Sequence, residues 1–333
     1  MLETLVLEDG LTLESGARIA PLEIAYARYG DPALPVVYVC HALTGDAEAG
    51  QWWDTLVGPG RPVDTDHFHV VCANLLGGCR GTTGPSSIDP ATGEPYGLRF
   101  PLFSVRDLVE THRLLLRALG IERLHGAIGG SLGGMQILQW ALDHPSEIER
   151  GVLVCASARL SAQNIALSKV ARHAIVAHGA MDVARMLAHI TYLSERGMEL
   201  KFSRARRTER PMTLESDYEV ELYLDHQAEI FLARFEPHTY LYLSRVMDYF
   251  DPFAEAYARP PETRFLVVSF SSDWRFGTAH SEHIEAELAA RGGHVRREEV
   301  ESPWGHDSFL MDVPEYHALV REFMYQEAGG ALR

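Results

Sequence analysis

Cysteine is scarce in this chain. Only four occur among 333 residues, Cys40, Cys72, Cys79 and Cys155, and none are spaced as the Cys-x-x-Cys pairs typical of metal and redox sites. All but one lie in apolar runs, where a cysteine is usually just a small buried side chain. We therefore expect no metal site and a reducing, cytoplasmic location.

Long apolar runs and positive charge are also lacking. No window approaches the roughly 18 uninterrupted apolar residues of a membrane span, and the N-terminus has no basic region followed by an apolar stretch. Lys and Arg number 30 against 46 Asp and Glu, a net charge of −16 that repels nucleic acid and anionic membranes. We expect no signal peptide, no membrane span, and neither nucleic acid nor membrane as a partner.

What is present resembles the composition of a globular enzyme, with 46% hydrophobic and 23% charged residues. The opening segment, to about Tyr29, predicts short antiparallel strands, with a turn at Asp9-Gly10 between residues 5–7 and 11–13. Farther on, compact apolar runs predict parallel strands that are covered on both faces. These strands are predicted over residues 36–40, 68–73, 124–128, 151–155, 265–270 and 294–300.

Helical patterns lie between these strands. One runs from Ser104 to Leu119, with Ser104 and Asp107 as a capping pair, and another covers 314–326. Such alternation predicts a doubly wound, mostly parallel sheet. Residues 160–250 break the alternation, because helical patterns follow one another there over 164–178, 181–195, 218–235 and 238–249. We interpret 160–250 as a helical lid inserted into one core domain formed by 1–159 and 251–333.

A nucleophile elbow is predicted where an apolar strand leads into Gly129-Gly130-Ser131-Leu132-Gly133 and then into a helical pattern. A sharp turn between strand and helix strains the serine backbone and lifts its hydroxyl above the sheet. The flanking glycines are needed because a Cβ there would collide with a neighbouring strand or helix. The amide of Leu132 would then point at the oxyanion that forms when Ser131 attacks a carbonyl.

Serine needs a base to accept its proton and an acid to orient that base. In an α/β-hydrolase fold the acid and the histidine follow the serine in that order, each after a late strand. Asp273 and His306 occupy these places, so we predict the triad Ser131, Asp273 and His306. Asp307 is too near His306 in sequence to orient it, and we assign it to substrate contact.

The second oxyanion donor should come from the loop after the first parallel strand. That loop is His41-Ala42-Leu43-Thr44-Gly45, called the oxyanion loop below, and its predicted donor is the amide of Leu43.

Together, four segments closely resemble the homoserine O-acetyltransferases over nearly the whole chain: 41–45, 74–85, 129–136 and 305–307. The Gly- and Thr-rich segment within 77–85 makes this resemblance more specific than the elbow alone. It implies an α/β-hydrolase fold with Ser131, Asp273 and His306 as the triad of an acetyltransferase. It also implies acetyl-CoA as co-substrate, no bound cofactor, and a homodimer.

The resemblance further suggests residues that bind L-homoserine. Arg204 matches the family arginine that pairs with the substrate carboxylate, to which a guanidinium can donate two parallel hydrogen bonds. Tyr223 matches a position at the carboxylate end, and Asp307 one at the amino end. This chain has Phe202-Ser203-Arg204 where the family usually has Phe-Gly-Arg.

The predicted function is transfer of acetyl from acetyl-CoA to the side-chain hydroxyl of L-homoserine, which gives O-acetyl-L-homoserine for methionine biosynthesis. Three alternatives stay open: a succinyl donor, L-serine as acceptor, and an esterase or thioesterase that releases the acyl group to water.

Overall fold

The structure is a computed structural model that describes residues 2–209 and 212–326. Its centre is an eight-stranded sheet in the order β1-β4-β8-β5-β9-β10-β11-β12. From β8 to β12 all neighbours pair in parallel, whereas β4 pairs antiparallel with both β1 and β8. The strands are β1 (Glu3–Leu7), β2 (Leu11–Thr12), β3 (Arg18–Ile19), β4 (Leu22–Tyr29), β5 (Val36–Cys40), β6 (Val57–Gly58), β7 (Val63–Asp64), β8 (His69–Ala73), β9 (Gly126–Gly130), β10 (Arg150–Val154), β11 (Arg264–Phe270) and β12 (His294–Val300).

Helices cover both faces of this sheet, and apolar side chains from helices and strands form a separate buried cluster on each face. The α-helices are α1 (Ala49–Trp52), α2 (Val105–Ala118), α3 (Leu132–Asp143), α4 (Ala162–His178), α5 (Met181–Tyr192), α6 (Glu195–Lys201), α7 (Glu219–Leu232), α8 (Pro237–Tyr249), α9 (Thr278–Ala290) and α10 (Pro314–Tyr325). Short 3-10 helices span Gly97–Arg99, Pro252–Ala254 and Gly305–Leu310. The predicted α/β-hydrolase fold with a mostly parallel sheet is confirmed.

The capping pair of α2 is also confirmed. The hydroxyl of Ser104 accepts a hydrogen bond from the amide of Asp107, and the carboxylate of Asp107 accepts one from the amide of Ser104. This reciprocal arrangement satisfies two amides that the first turn of a helix leaves without partners.

The predicted antiparallel strands of the opening segment are present, although β1 and β2 do not pair with each other. The turn at Asp9-Gly10 is present, with the amide of Gly10 donating to the carbonyl of Leu7, but β1 pairs with β4 and β2 with β3. Because β1 joins the central sheet through β4, its alternating half-buried side chains pack on the core. A local turn therefore did not identify the long-range partner.

Strand β9 begins two residues later than predicted and ends in Gly129 and Gly130. Its neighbour α3 lies so close that a Cβ on Gly129 would stand 2.5 Å from the carbonyl carbon of Gly133. The glycines at the end of the strand allow the following helix to pack directly on it.

Helices α4 to α8 lie in sequence between β10 and β11. A separate apolar cluster joins α4, α5, α7 and α8 and includes Ala171, Met181, Phe231 and Tyr240. The predicted helix over 181–195 ends earlier, at Tyr192, and α6 follows as a distinct helix. We keep 160–250 as our proposal for the bounds of the lid.

In the described part of the chain, no helix combines the length and the apolar character that crossing a bilayer requires.

Candidate active site

Ser131 occupies the turn between β9 and α3 with a strained backbone, φ 56° and ψ −120°. Such a conformation costs on the order of 1–3 kcal/mol for a residue with a side chain. The amide of Ser131 donates to the carbonyl of Val154 at 2.9 Å, which ties the turn to β10. A Cβ on Gly133 would stand 2.0 Å from the carbonyl oxygen of Cys40, so only glycine allows α3 to begin this close to β5. The structure thus has the geometry of a nucleophile elbow.

His306 and Asp273 meet at the ends of two neighbouring strands. Asp273 follows β11, and His306 follows β12 in the 3-10 helix Gly305–Leu310. The ring Nδ1 of His306 lies 2.7 Å from Oδ2 of Asp273, while the amides of Arg275 and Phe276 each donate to Oδ1 of Asp273 at 2.9 Å.

These contacts keep the carboxylate of Asp273 ionised. Burial would raise the pKa of Asp273, but the charge and hydrogen bond of His306 and the two amides hold it below its ordinary value. An ionised Asp273 fixes the proton of His306 on Nδ1, which leaves Nε2 free to accept a proton from a nucleophile.

The ring of His306 is also held by aromatic neighbours. It packs edge-on against Phe276, with ring centroids 5.1 Å apart, and lies 5.9 Å from the ring of Tyr192 on α5. His306 and Ser131 line the same cavity. No hydrogen bond joins Nε2 of His306 or Oγ of Ser131 to another described residue, so both atoms are available to a substrate.

The backbone amides of Leu43 and Leu132 are the predicted oxyanion donors. Leu132 is the first residue of α3, and Leu43 lies in the oxyanion loop at the wall of the cavity. Within 2–209 and 212–326, neither amide donates a hydrogen bond to a protein group. Free amides beside a nucleophile can bind the negative oxygen of a tetrahedral intermediate, and this role for Leu43 and Leu132 stays a prediction.

One group of side chains has the composition of a metal site. The Sγ of Cys155, a carboxylate oxygen of Asp273 and a ring nitrogen of His306 lie within 4.8 Å of one another. Burial raises the pKa of the Cys155 thiol well above its ordinary value, and a thiol binds metals as the thiolate. Since His306 already bonds Asp273, this chemistry favours the triad over a metal ion.

The cavity carries a cation and an anion close to the triad. Arg185 of α5 lines it, and Nε and Nη1 of its guanidinium are buried without a hydrogen-bond partner among the described residues. The guanidinium stacks on the ring of Phe231, 4.4 Å from the centroid. A buried guanidinium without partners is costly, so Arg185 is poised to bind an anion.

Asp307 is the anion. It lines the cavity beside His306, and within the described ranges its carboxylate makes no hydrogen bond or ion pair. Burial raises the pKa of Asp307, while the charges of His306, Arg185 and Lys201 act in the opposite direction. Separate positive and negative groups in one cavity match a ligand that carries both charges, as an amino acid does.

The chain matches the α/β hydrolase fold family over residues 35–313. It is 51% identical to a homoserine O-succinyltransferase of Nocardioides sp., with 95% of each chain covered. It is 42% identical to a homoserine O-acetyltransferase of Rhodopseudomonas palustris, with 97% of this chain and 90% of the relative covered. The chain belongs to the homoserine O-acyltransferase family. A homoserine O-acetyltransferase from Bacillus anthracis shares the fold, with a TM-score of 0.87 over 98% of both chains at 23% identity.

Arg204 does not lie at this cavity. It is exposed after α6, where Nη2 donates to the hydroxyl of Tyr218 at 3.1 Å and the guanidinium stacks on the Tyr218 ring. The assignment of the substrate carboxylate to Arg204 stays a prediction, which the position of this side chain outside the cavity does not support. Arg185, which lines the cavity, is a second candidate for the same role.

Tyr223 lies behind the cavity wall and not in it. Its hydroxyl is 2.9 Å from Nδ1 of His189, and His189 lines the cavity. Burial raises the pKa of Tyr223 to about 12. Burial and the charges of Arg185 and Lys201 lower the pKa of His189 to about 3, so the pair is neutral at pH 7. The predicted contact between Tyr223 and the substrate stays a prediction, and the structure places His189 between Tyr223 and the cavity.

The sequence prediction missed Arg185, His189 and Tyr192, which all line the cavity. They are separated by four and three residues on α5, so they share one face of that helix. Small buried side chains, Ala184 and Ala188, lie beside them. An arginine, a histidine and a tyrosine on one face of a lid helix were the available signal, whereas the assignment of Arg204 followed from the family resemblance.

We expect Asp273→Asn to lower the hydrolysis of p-nitrophenyl acetate by roughly 10⁴-fold, because the amide no longer holds His306 in the required tautomer. Asp307→Asn is the matched control, since it removes a neighbouring carboxylate that does not touch His306 Nδ1. This control should retain the activity within a few-fold. The reverse ranking of the two variants would show that Asp307 is the acid of the triad.

Proposed function

We propose that this protein transfers acetyl from acetyl-CoA to the side-chain hydroxyl of L-homoserine, giving O-acetyl-L-homoserine for methionine biosynthesis. Acetyl-CoA acts as a co-substrate, and no bound cofactor takes part. Transfer occurs by double displacement through Ser131, with His306 as base and Asp273 as the acid that orients it.

The observation that carries this proposal is the pair of unpartnered charges beside the triad. Arg185 offers donors for an α-carboxylate, and Asp307 offers an acceptor for an α-ammonium group. An amino acid bound between them directs its side chain toward Ser131 and His306. A simple esterase has no use for two such groups, because its acceptor is water.

The first half-reaction acylates the enzyme. His306 Nε2 takes the proton of Ser131 as Oγ attacks the thioester carbonyl, and the resulting oxyanion accepts hydrogen bonds from the amides of Leu43 and Leu132. The carbon–sulfur bond then breaks, and His306 returns the proton to the CoA thiolate. Acetyl-Ser131 remains.

The second half-reaction uses the same groups in the same order. His306 takes the proton of the homoserine hydroxyl, whose oxygen attacks the acetyl carbonyl on Ser131. The same two amides bind the oxyanion, and Ser131 leaves as its Oγ regains the proton. Binding homoserine in place of water at this step makes the enzyme a transferase.

A succinyl donor is the second candidate. The relative from Nocardioides sp. is named a homoserine O-succinyltransferase, and Arg234 also lines the cavity, with Nη1 donating to the carbonyl of Thr44 at 3.0 Å. A guanidinium beside the oxyanion loop offers a partner for the free carboxylate of a succinyl group. L-Serine as acceptor and plain hydrolysis complete the alternatives.

We also propose a cytoplasmic location and a homodimer. The four cysteines are all free, with Cys40, Cys72 and Cys155 buried, which supports a reducing compartment. The homodimer rests on the resemblance to the homoserine O-acetyltransferases.

Thiol release from each donor with each acceptor distinguishes these functions. Acetyl-CoA and succinyl-CoA are each tested with L-homoserine, L-serine and water, and Ser131→Ala serves as the blank. We expect acetyl-CoA with L-homoserine to give the highest kcat/KM. L-Serine should be poorer by roughly 10- to 100-fold, because it lacks one methylene. Faster release from succinyl-CoA would reassign the donor, and release that L-homoserine does not accelerate would indicate a hydrolase.

Arg185→Lys should raise the KM for L-homoserine by roughly 10- to 100-fold, because lysine keeps the charge but loses the paired donors of the guanidinium. Acylation by acetyl-CoA alone, measured as the burst of thiol, should change little. Arg204→Lys is the matched control and should leave the KM within about twofold of wild type. A raised KM in Arg204→Lys together with an unchanged KM in Arg185→Lys would show that Arg204 binds the substrate carboxylate.

A further inference from the structure

Three polar side chains lie fully buried beneath the oxyanion loop. Tyr38 on β5, His112 on α2 and Gln136 on α3 each have 0% of their surface exposed. Burying such groups without partners is unfavourable, and here each bonds the next. Oη of Tyr38 lies 2.8 Å from Nδ1 of His112, and Nε2 of His112 lies 2.7 Å from Oε1 of Gln136.

Gln136 ends this chain of hydrogen bonds at the proposed oxyanion site. Its Nε2 donates to the carbonyl of His41 at 3.2 Å and to the carbonyl of Leu132 at 3.1 Å. His41 begins the oxyanion loop, two residues before Leu43, and Leu132 is the first residue of α3. One side-chain amide thus joins the two backbone segments that carry the two proposed oxyanion donors.

The protons in this series of hydrogen bonds have one consistent arrangement. Both partners of the Gln136 nitrogen are carbonyl oxygens, so the amide oxygen must face His112. Nε2 of His112 must then carry the proton, and Nδ1 must accept from the hydroxyl of Tyr38. Burial lowers the pKa of His112 to about 4, which keeps the imidazole neutral as this arrangement requires.

Other hydrogen bonds among the described residues hold parts of the oxyanion loop but do not join it to α3. The amide of Leu75 donates to Nε2 of His41 at 3.2 Å, and the amide of Gly45 donates to the carbonyl of Ala42 at 2.9 Å. Loss of one oxyanion donor costs roughly 10²–10³-fold in kcat, so the distance between the two amides has to be maintained.

We propose that Gln136 is a positioning residue, which with His112 and Tyr38 sets the spacing of the Leu43 and Leu132 amides. Gln136 itself touches no substrate. This inference rests on the proposed function, since it requires the two amides to bind the oxyanion in both half-reactions.

Gln136→Met tests the inference, because methionine keeps the length of the side chain and removes both donors. Gln139→Met is the matched control. Gln139 lies on the same helix and is 4% exposed, but its Nε2 bonds Oδ2 of Asp143 and the hydroxyl of Tyr257, away from the oxyanion loop. We expect kcat to fall by roughly 10- to 100-fold in Gln136→Met and less than about twofold in Gln139→Met, with the KM for L-homoserine little changed in both.

A second readout reports on the oxyanion directly. A trifluoromethyl ketone analogue of acetyl-CoA adds to Ser131 and forms a negatively charged hemiketal, whose affinity depends on the two amides. Its Ki should rise in Gln136→Met by the same factor by which kcat/KM falls, and should stay at the wild-type value in Gln139→Met. A merely structural role would lower both melting temperatures without this parallel change.

Equal losses of activity in the two variants, or wild-type kcat and Ki in Gln136→Met, would overturn the inference while Ser131→Ala remained inactive. Activity in Ser131→Ala would instead overturn the proposed function. If Gln136→Met does not fold, Tyr38→Phe takes its place, since it removes only the hydroxyl that fixes the tautomer of His112. A parallel fall of kcat/KM and ketone affinity in Tyr38→Phe supports the inference, and wild-type values of both contradict it.

Discussion

The backbone of Ser131 has a positive φ that a residue with a side chain adopts only under strain. The turn is held because α3 begins directly against the end of β5, where Gly133 leaves no room for a Cβ beside the carbonyl of Cys40. The same close approach places the first amide of α3 next to the oxyanion loop that follows β5. The positions of the proposed nucleophile and of the proposed donor at Leu132 therefore both depend on one packing contact.

The parallel sheet brings the other groups to this point. Strands β5, β9, β11 and β12 run in the same direction, so the residues that follow their carboxyl ends meet at one edge. That edge receives the oxyanion loop, Ser131, Asp273 and His306 in turn. Helix α5 of the proposed lid lines the cavity at this edge with Arg185 and His189, where we propose that the amino acid is recognised.

Buried charge is distributed unevenly across this site. Asp273 is surrounded by an imidazole and two amides and stays ionised at a lowered pKa. Asp307 and the Nε and Nη1 atoms of Arg185, by contrast, have no hydrogen-bond partner among the described residues. The hydrogen bonds of Asp273 hold the ring of His306 in place, whereas the unpartnered groups of Asp307 and Arg185 are available to bind a ligand.

The fold and the proposed triad could be predicted from sequence because both follow from local patterns combined with chain order. An apolar strand before Gly-x-Ser-x-Gly, an aspartate after β11 and a histidine after β12 need no knowledge of distant contacts. The proposed carboxylate ligand could not be found in this way. Whether Arg204 or Arg185 faces the cavity depends on how the lid helices pack, and helical periodicity does not specify which face meets the core. The pairing of β1 with β4 also depends on a long-range contact, which the local turn at Asp9-Gly10 does not specify.

We propose that Ser131 carries the acyl group between two half-reactions. The most direct test of this proposal is peptide mass spectrometry of the wild-type protein, quenched in acid after incubation with acetyl-CoA and no acceptor. We expect one added acetyl group on the peptide that contains Ser131, and we expect this group to be lost when L-homoserine is added before the quench. An acetyl group on another residue, or an unmodified Ser131 while thiol is released in a stoichiometric burst, would contradict it.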